Sequence, residues 1–284
     1  MSRTPLASPV KTPGMKIPGV FLCLLISSCF IACPAFAECG LPSGDSVQVV
    51  RVSDGDTLKL HDGRSVRVLG INAPEIAHGA VKGQPFGRES KAHAQMFVDE
   101  TKGRIRLGFE REIKDRYGRL LAHVYDSQNR SLAAEQLRAG MALQIAVPPN
   151  YSQMDCLRPL ENSAREKKLG LWRSSYWQPV QITSLQETEA GFRHVRGRIT
   201  KVSMNTAIWL EFDGQLVAKI AKKDWPLFMG KLAGVYKKAD WLSLKGKEVE
   251  LRGWITRRKS NPARQYKPLI LHVRVPSSMR VVDR

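Results

Sequence analysis

The chain is poor in acids, in cysteine and in long apolar runs, and each shortage narrows its reading. Against 45 Lys and Arg stand 26 Asp and Glu, a net charge of +19 over 284 residues. An excess of this size points to a polyanionic partner, nucleic acid or an anionic membrane surface, although a basic surface serving only solubility has the same composition. One long apolar run is present, GVFLCLLISSCFIACPAFA near the N-terminus, and the lack of a second excludes a membrane-spanning helix in the body of the chain. Of the five cysteines, Cys23, Cys29 and Cys33 fall in that run, leaving Cys39 and Cys156 to the rest. No low-complexity tract interrupts the sequence.

Arg3, Lys11 and Lys16 precede the apolar run, and small residues at Ala35 and Ala37 end it where signal peptidase cuts. This predicts a signal peptide over 1–37, a mature chain from near Glu38, and export to the periplasm or the medium. Met15, beside Lys16, offers a second start that gives a leader of ordinary length. ISSC, ending at Cys29, also reads as a lipoprotein box, and acylation there is the alternative address. Export means an oxidising compartment, so a Cys39–Cys156 disulfide is expected, tying the mature N-terminus to the last helix of the first domain; two free thiols are the other outcome.

From Ser46 to Ile71 apolar residues alternate, with the phase slipped by one at Val49 and Val50, which suggests a β-bulge. Asp-Gly pairs at 54–55 and 62–63 punctuate the run and predict a three-stranded meander. Helical spacing follows in Phe86–Gly103, then strands in RIRLGF and GRLLAHVY, then helices near 132–139 and 154–169 closed by Gly170. This order is compatible with a five-stranded Greek-key barrel of the OB type. Residues 174–180 read as a linker, beyond which the same order of elements recurs over 181–284. The predicted fold class is therefore mainly β with helices (α+β): an OB barrel over 38–173 and a second OB-like barrel after it.

The segments VSDGDTLKL, VRVLGINAPE and DRYGRLLAHVY, supported by QPFGRES, LRAG and REKKLGLW, resemble the thermonuclease or staphylococcal-nuclease-like family over about residues 46–173. The resemblance implies an OB-fold nuclease that hydrolyses phosphodiester bonds of DNA and/or RNA with Ca2+ and leaves 3'-phosphate ends. Matched position by position, it implies Asp56 and Asn72 as side-chain calcium ligands beside the Ala73 carbonyl, Glu75 as the carboxylate that activates water, and Arg67 and Arg119 as phosphate-binding arginines. Arg116 and Tyr117 align with residues that contact the nucleotide. The residue types suit the chemistry, since calcium takes six to eight oxygens and a transition state gathering negative charge needs preorganised cations. Each residue also has a plainer reading. Asp54 with Gly55 is a turn, Asp56 a solvated acid, Arg67 an exposed strand arginine between Val66 and Val68, Arg119 surface charge and His78 a loop residue.

Two departures stand out. Asn72 replaces an aspartate, which should weaken metal binding by removing one ligand charge. Near ALQIAVPPN, where the family often carries tyrosines that pack on the nucleotide, this chain has Ala146 and Pro148. The alternative is accordingly a non-catalytic nucleic-acid-binding protein that retains the nuclease fold.

Over 181–284 basic residues outnumber acidic ones by roughly two to one, with Trp209, Trp225, Trp241, Trp254 and Tyr266 interleaved. Cations with rings suit nucleic-acid binding by an OB barrel, although Trp209, Trp225 and Trp254 within strand patterns read first as core. No protein partner is implied, and a monomer is expected.

Overall fold

The computed structural model describes residues 39–40, 44, 46–77, 79, 82–229, 238–258 and 266–282. The leader at 1–37, the acylation reading at Cys29 and His78 lie outside them.

Alternation and turn chemistry produce the expected meander. Strands β1 (Ser46–Asp54), β2 (Thr57–Leu60) and β3 (Ser65–Val68) pair antiparallel in sequence order. The slip of phase is a register shift between Val49 and Arg51. Through this bulge Val49 and Val52 both face inward while Val50 is exposed. There follow β4 (Ile71–Asn72), α1 (Gly87–Glu100), β5 (Arg104–Lys114), β6 (Leu120–Tyr125), α2 (Leu132–Arg138), β7 (Leu143–Gln144) and α3 (Met154–Glu166). The order β1-β2-β3-β6-β5 closes on itself as a barrel, with β3 and β6 parallel and the remaining neighbours antiparallel. Val52, Leu58, Val66, Val68, Leu107 and Ala122 fill it. Because Val66 and Val68 point inward, the pleat turns Arg67 outward. Outside the barrel β4 pairs with β7, setting Asn72 opposite Leu143.

The second half repeats this topology. Its elements are β8 (Val180–Gln181), β9 (Gly191–Met204), β10 (Ala207–Phe212), β11 (Leu216–Ala221), α4 (Trp225–Met229), α5 (Lys238–Ser243), β12 (Glu248–Arg257), β13 (Leu269–His272) and β14 (Met279–Val281). The run β9-β10-β11-β13-β12 returns to β9 through the β12–β9 ladder, with β8 and β14 added beside β9 and β12. The parallel pair β11–β13 stands where the first barrel has β3–β6. Ile199, Leu210, Phe212, Leu251 and Leu271 pack inside.

Two sequence readings change. Residues 174–180 are not a bare linker: Ser175–Trp177 forms a 3₁₀ turn, and Trp177 is buried with Leu143, Leu171 and Trp172, its indole donating to the Pro85 carbonyl at 3.1 Å. Among the tryptophans expected in the core, Trp225 is partly buried, Trp209 lies half-open on the outer face of β10, and Trp254 is 44% exposed. Trp241 fills the interior instead, against Phe228. The pleat decides this: Ile208, Leu210 and Phe212 take the inner face of β10, leaving Trp209 outside.

The sulfurs of Cys39 and of Cys156 in α3 stand at bonding distance, with Cα atoms 5.7 Å apart. The barrels meet between α3 and β12, where Arg252 makes two hydrogen bonds to Glu161, at 2.6 and 2.7 Å, and a third to Gln144.

Candidate active site

The turn between β1 and β2 delivers Asp56 to one end of the first barrel, and there it is buried rather than solvated. Its Oδ2 accepts the Ala73 N–H at 2.6 Å and pairs with Arg67 Nη2 at 3.0 Å. Its Oδ1 accepts the Thr57 hydroxyl at 3.1 Å. Arg67 joins β3 to β4: Nη1 donates to the Val68 and Ile71 carbonyls, and Nη2 to Asn72 Oδ1 at 3.1 Å. Thus Asp56, Arg67, Asn72 and Ala73 form one connected group although they span three elements.

Glu75 lies just beyond β4, its backbone clamped by Gln84. The Glu75 N–H donates to Gln84 Oε1 at 2.9 Å, and the Gln84 N–H returns to the Glu75 carbonyl at 2.8 Å. Partial burial raises the Glu75 carboxyl above its ordinary range and Asp54 adds to the rise, while Arg67 and Arg119 oppose it. The same influences bind the centre electrostatically: both arginines act on this one carboxylate. Arg119 stands in the β5–β6 turn, where Asp115 holds it by a 2.7 Å bond to Nε and accepts the Arg119 N–H at 3.0 Å. Arg116 and Tyr117 occupy the tip of that turn. Tyr117 is exposed, accepts from Arg116 at 2.6 Å and has the Arg119 guanidinium 5.6 Å from its ring centre.

Burial pushes the Asp56 carboxyl up to about 7, against the pull of Arg67 and with a further push from Asp54. The Asp54 and Asp56 carboxylates thus lie together beside the one guanidinium of Arg67, a balance that one added cation improves. The oxygens on offer, from the Asp56 carboxylate, the Asn72 amide and the Ala73 carbonyl, are hard donors of the kind calcium takes. Among the described residues no three His, Cys, Asp or Glu side chains lie together at metal-ligating distances, so neutral oxygens and water would have to complete such a shell.

Sequence reasoning passed over three residues here. Asp54, a turn acid by sequence, accepts the Asp56 N–H at 3.0 Å and acts on both Asp56 and Glu75; two acids one residue apart in DGD are the available signal. Gln136 sits among the apolar residues of α2, fully buried, and donates to the Gly55 and Ser90 carbonyls at 2.7 and 3.0 Å. A glutamine on the apolar face of a helix was the clue. Gln84 gave none, because its contact with Glu75 depends on how the loop folds back. At the second departure, Ile145, Ala146 and Val147 line a cavity of about 280 Å³ whose far wall contains Phe192 and Trp254 of the second barrel.

Comparison with known proteins places residues 65–174 under the family model described as staphylococcal nuclease homologue. The chain is 34% identical over 135 residues to the thermonuclease of Staphylococcus intermedius, covering 45% of this chain and 77% of that protein. It is 30% identical over 145 residues to the thermonuclease of Staphylococcus hyicus, covering 48% and 82%. It is 32% identical over 135 residues to endonuclease YncB of Bacillus subtilis strain 168, covering 46% and 63%.

Proposed function

The chain belongs to the staphylococcal nuclease family and is an endonuclease of the micrococcal type; from that premise we propose that Asp56, Arg67, Asn72, Ala73, Glu75 and Arg119 form an exported, calcium-dependent centre that cleaves DNA and/or RNA to leave 3'-phosphate ends. The observation that carries this reading is the single bonded group in which Arg67 joins Asp56 and Asn72 while Asp56 accepts the Ala73 N–H.

In the reaction, Glu75 takes a proton from water as the water oxygen bonds to phosphorus, and the bond from phosphorus to the 5'-oxygen breaks. The departing oxygen takes up a proton, and the phosphate stays on the 3' side. A carboxylate of raised pKa is the better base for that first transfer. Arg67 and Arg119 approach from separate elements and neutralise the charge that grows on the phosphoryl oxygens, preorganised by Asp56 and Asp115 respectively. Calcium held by Asp56, Asn72 and the Ala73 carbonyl would supply Lewis-acid polarisation of the phosphate. Arg116 and Tyr117, at the tip of the Arg119 turn, would contact the nucleotide. In an exported chain, Cys39 and Cys156 would be a formed disulfide.

Digestion of plasmid and single-stranded DNA tests the proposal. Cleavage is expected with calcium, none with chelator, and Glu75→Gln should lower kcat by about 10²–10⁴-fold. Wild-type turnover by that variant would remove Glu75 from the reaction.

A further inference from the structure

The outer face of the second barrel carries a recess of about 560 Å³, bounded by the β9–β10 turn at Asn205 and Thr206, by β10, and by residues on either side of the β12–β13 connection. Its floor follows from the pleat that turns Trp209 outward. Opposite Trp209 across the β10–β11 ladder lies Lys219, its ammonium 5.1 Å from the indole centre. Arg258 at the end of β12 places its guanidinium between two rings, 5.2 Å from Trp209 and 4.8 Å from Tyr266. Tyr266 is half exposed. The Arg258 guanidinium thus lies close to both ring centres beside an open cavity.

We propose that this recess is a binding site for single-stranded nucleic acid, in which bases stack on the rings of Tyr266 and Trp209 while Arg258, with Lys219 beside the recess, attracts the phosphates, Lys201 of the lining being paired with Glu211 at 3.2 Å. It rests on the nuclease reading for the class of polymer and goes beyond it in giving the second barrel its own contact with the strand. Surfaces formed by the second and third strands and the two flanking loops are where OB barrels take oligonucleotides, and stacking planes among cations bind them without regard to sequence. The electrostatic surroundings agree: His272, beside Lys219 in the β11–β13 register, is pushed below the usual imidazole range by burial and then by Lys219, Arg274 and Arg258, with Asp224 opposing. A duplex hides its base faces, and an acidic peptide or a lipid surface would use the cations but leave the recessed rings idle.

The test measures the affinity of the full-length protein for a fluorescent 15-nucleotide oligothymidylate by anisotropy, in excess chelator. Tyr266→Ala and Arg258→Ala are each expected to weaken binding roughly tenfold, the value of about one stacked base. Lys245→Glu, an exposed charge change outside the recess, should have a much smaller effect. Unfolding midpoints of the variants report whether the barrel is intact, and Trp209→Phe, which keeps a ring, should retain most of the affinity. The proposal is overturned if Tyr266→Ala costs no more than Lys245→Glu, or if a duplex of equal length loses as much affinity as the single strand. Because chelator removes calcium, the result is independent of cleavage: failure here leaves the plasmid digest standing, and the reverse also holds.

Discussion

Asn72 offers an amide oxygen where the family resemblance expects a carboxylate, and Arg67 Nη2 already donates to that oxygen at 3.1 Å. The amide keeps the shape of the site while removing one negative charge from beside Arg67 and Asp56. Asn72→Asp restores the charge and should tighten calcium about tenfold, since affinity follows the charge of the ligand set; titration calorimetry without nucleotide measures it, and an unchanged affinity would exclude position 72 as a ligand. Arg67 is differently placed. Four of its hydrogen-bonding and ionic partners, Asp56, Val68, Ile71 and Asn72, are structural parts of the site, so its loss would disturb geometry as well as charge. Arg119, held mainly by Asp115 within its own turn, is the cleaner probe of phosphate stabilisation.

At the scale of elements, the turn between β1 and β2 is held from outside the barrel. Gln136 of α2 grips the Gly55 carbonyl, and α1 presses Ser90 against the same turn. A Cβ at position 55 would lie 1.9 Å from Ser90 Oγ and 2.7 Å from Ala73 Cβ. Rotation of the serine relieves the first clash; the second needs the backbone to move. Gly55→Ala should therefore lower stability by about 1–3 kcal/mol, the usual cost of overpacking, and lower kcat by shifting Asp56. Urea unfolding and steady-state kinetics check both, and wild-type values would show that the turn is not under this constraint. Adding Ser90→Ala should recover part of the stability and little of the rate.

For the whole molecule, the junction of the barrels is ionic. Glu250 of β12 is buried and bonds Arg165 of α3 at 3.0 Å and Arg280 of β14 at 2.7 Å, with His194 of β9 at 3.3 Å and Arg252 acting on that histidine. Burial alone would raise the Glu250 carboxyl, but bonds from His194, Arg165 and Arg280 outweigh it and hold the group well below the ordinary carboxylate range. Burial lowers the His194 imidazole against the pull of Glu250. Both signs run the same way. Below the ordinary histidine range the unfolded chain takes up a proton that folded His194 resists, and below the ordinary carboxylate range the unfolded Glu250 does likewise. The contribution of this junction should be full above about pH 7 and fall in two stages on acidification, from about 6.5 and again from about 4.5. The raised carboxyls of Asp56 and Glu75 work in the opposite sense and the lowered His272 in the same sense as His194. Compared with the wild type, His194→Gln should therefore flatten, not abolish, the first stage in urea midpoints measured across pH. Reduction is a separate handle. A Cys39–Cys156 bond with a sequence separation of 117 would contribute about 5 kcal/mol by chain entropy, so reductant should lower the unfolding free energy by that order, and thiol counts on the chain from Glu38 onward should show no free sulfhydryl before it is added.

Local pattern alone determined much of this protein. Alternation and Asp-Gly turns set the first meander and even its bulge at Val49, because a period of two and a turn type are properties of neighbouring residues. The same local logic turned Arg67 out of the barrel, and the spaced motifs marked Asp56, Glu75 and Arg119. Tertiary structure decided what depends on distant partners: that Gln84 clamps the Glu75 backbone and Gln136 the Gly55 turn, that Trp177 is buried while Trp254 is open, and that the barrels dock through Arg252 and Glu161. A side chain's environment is made by segments that are remote along the chain, and only closure of the barrels brings those segments within a few ångströms of one another.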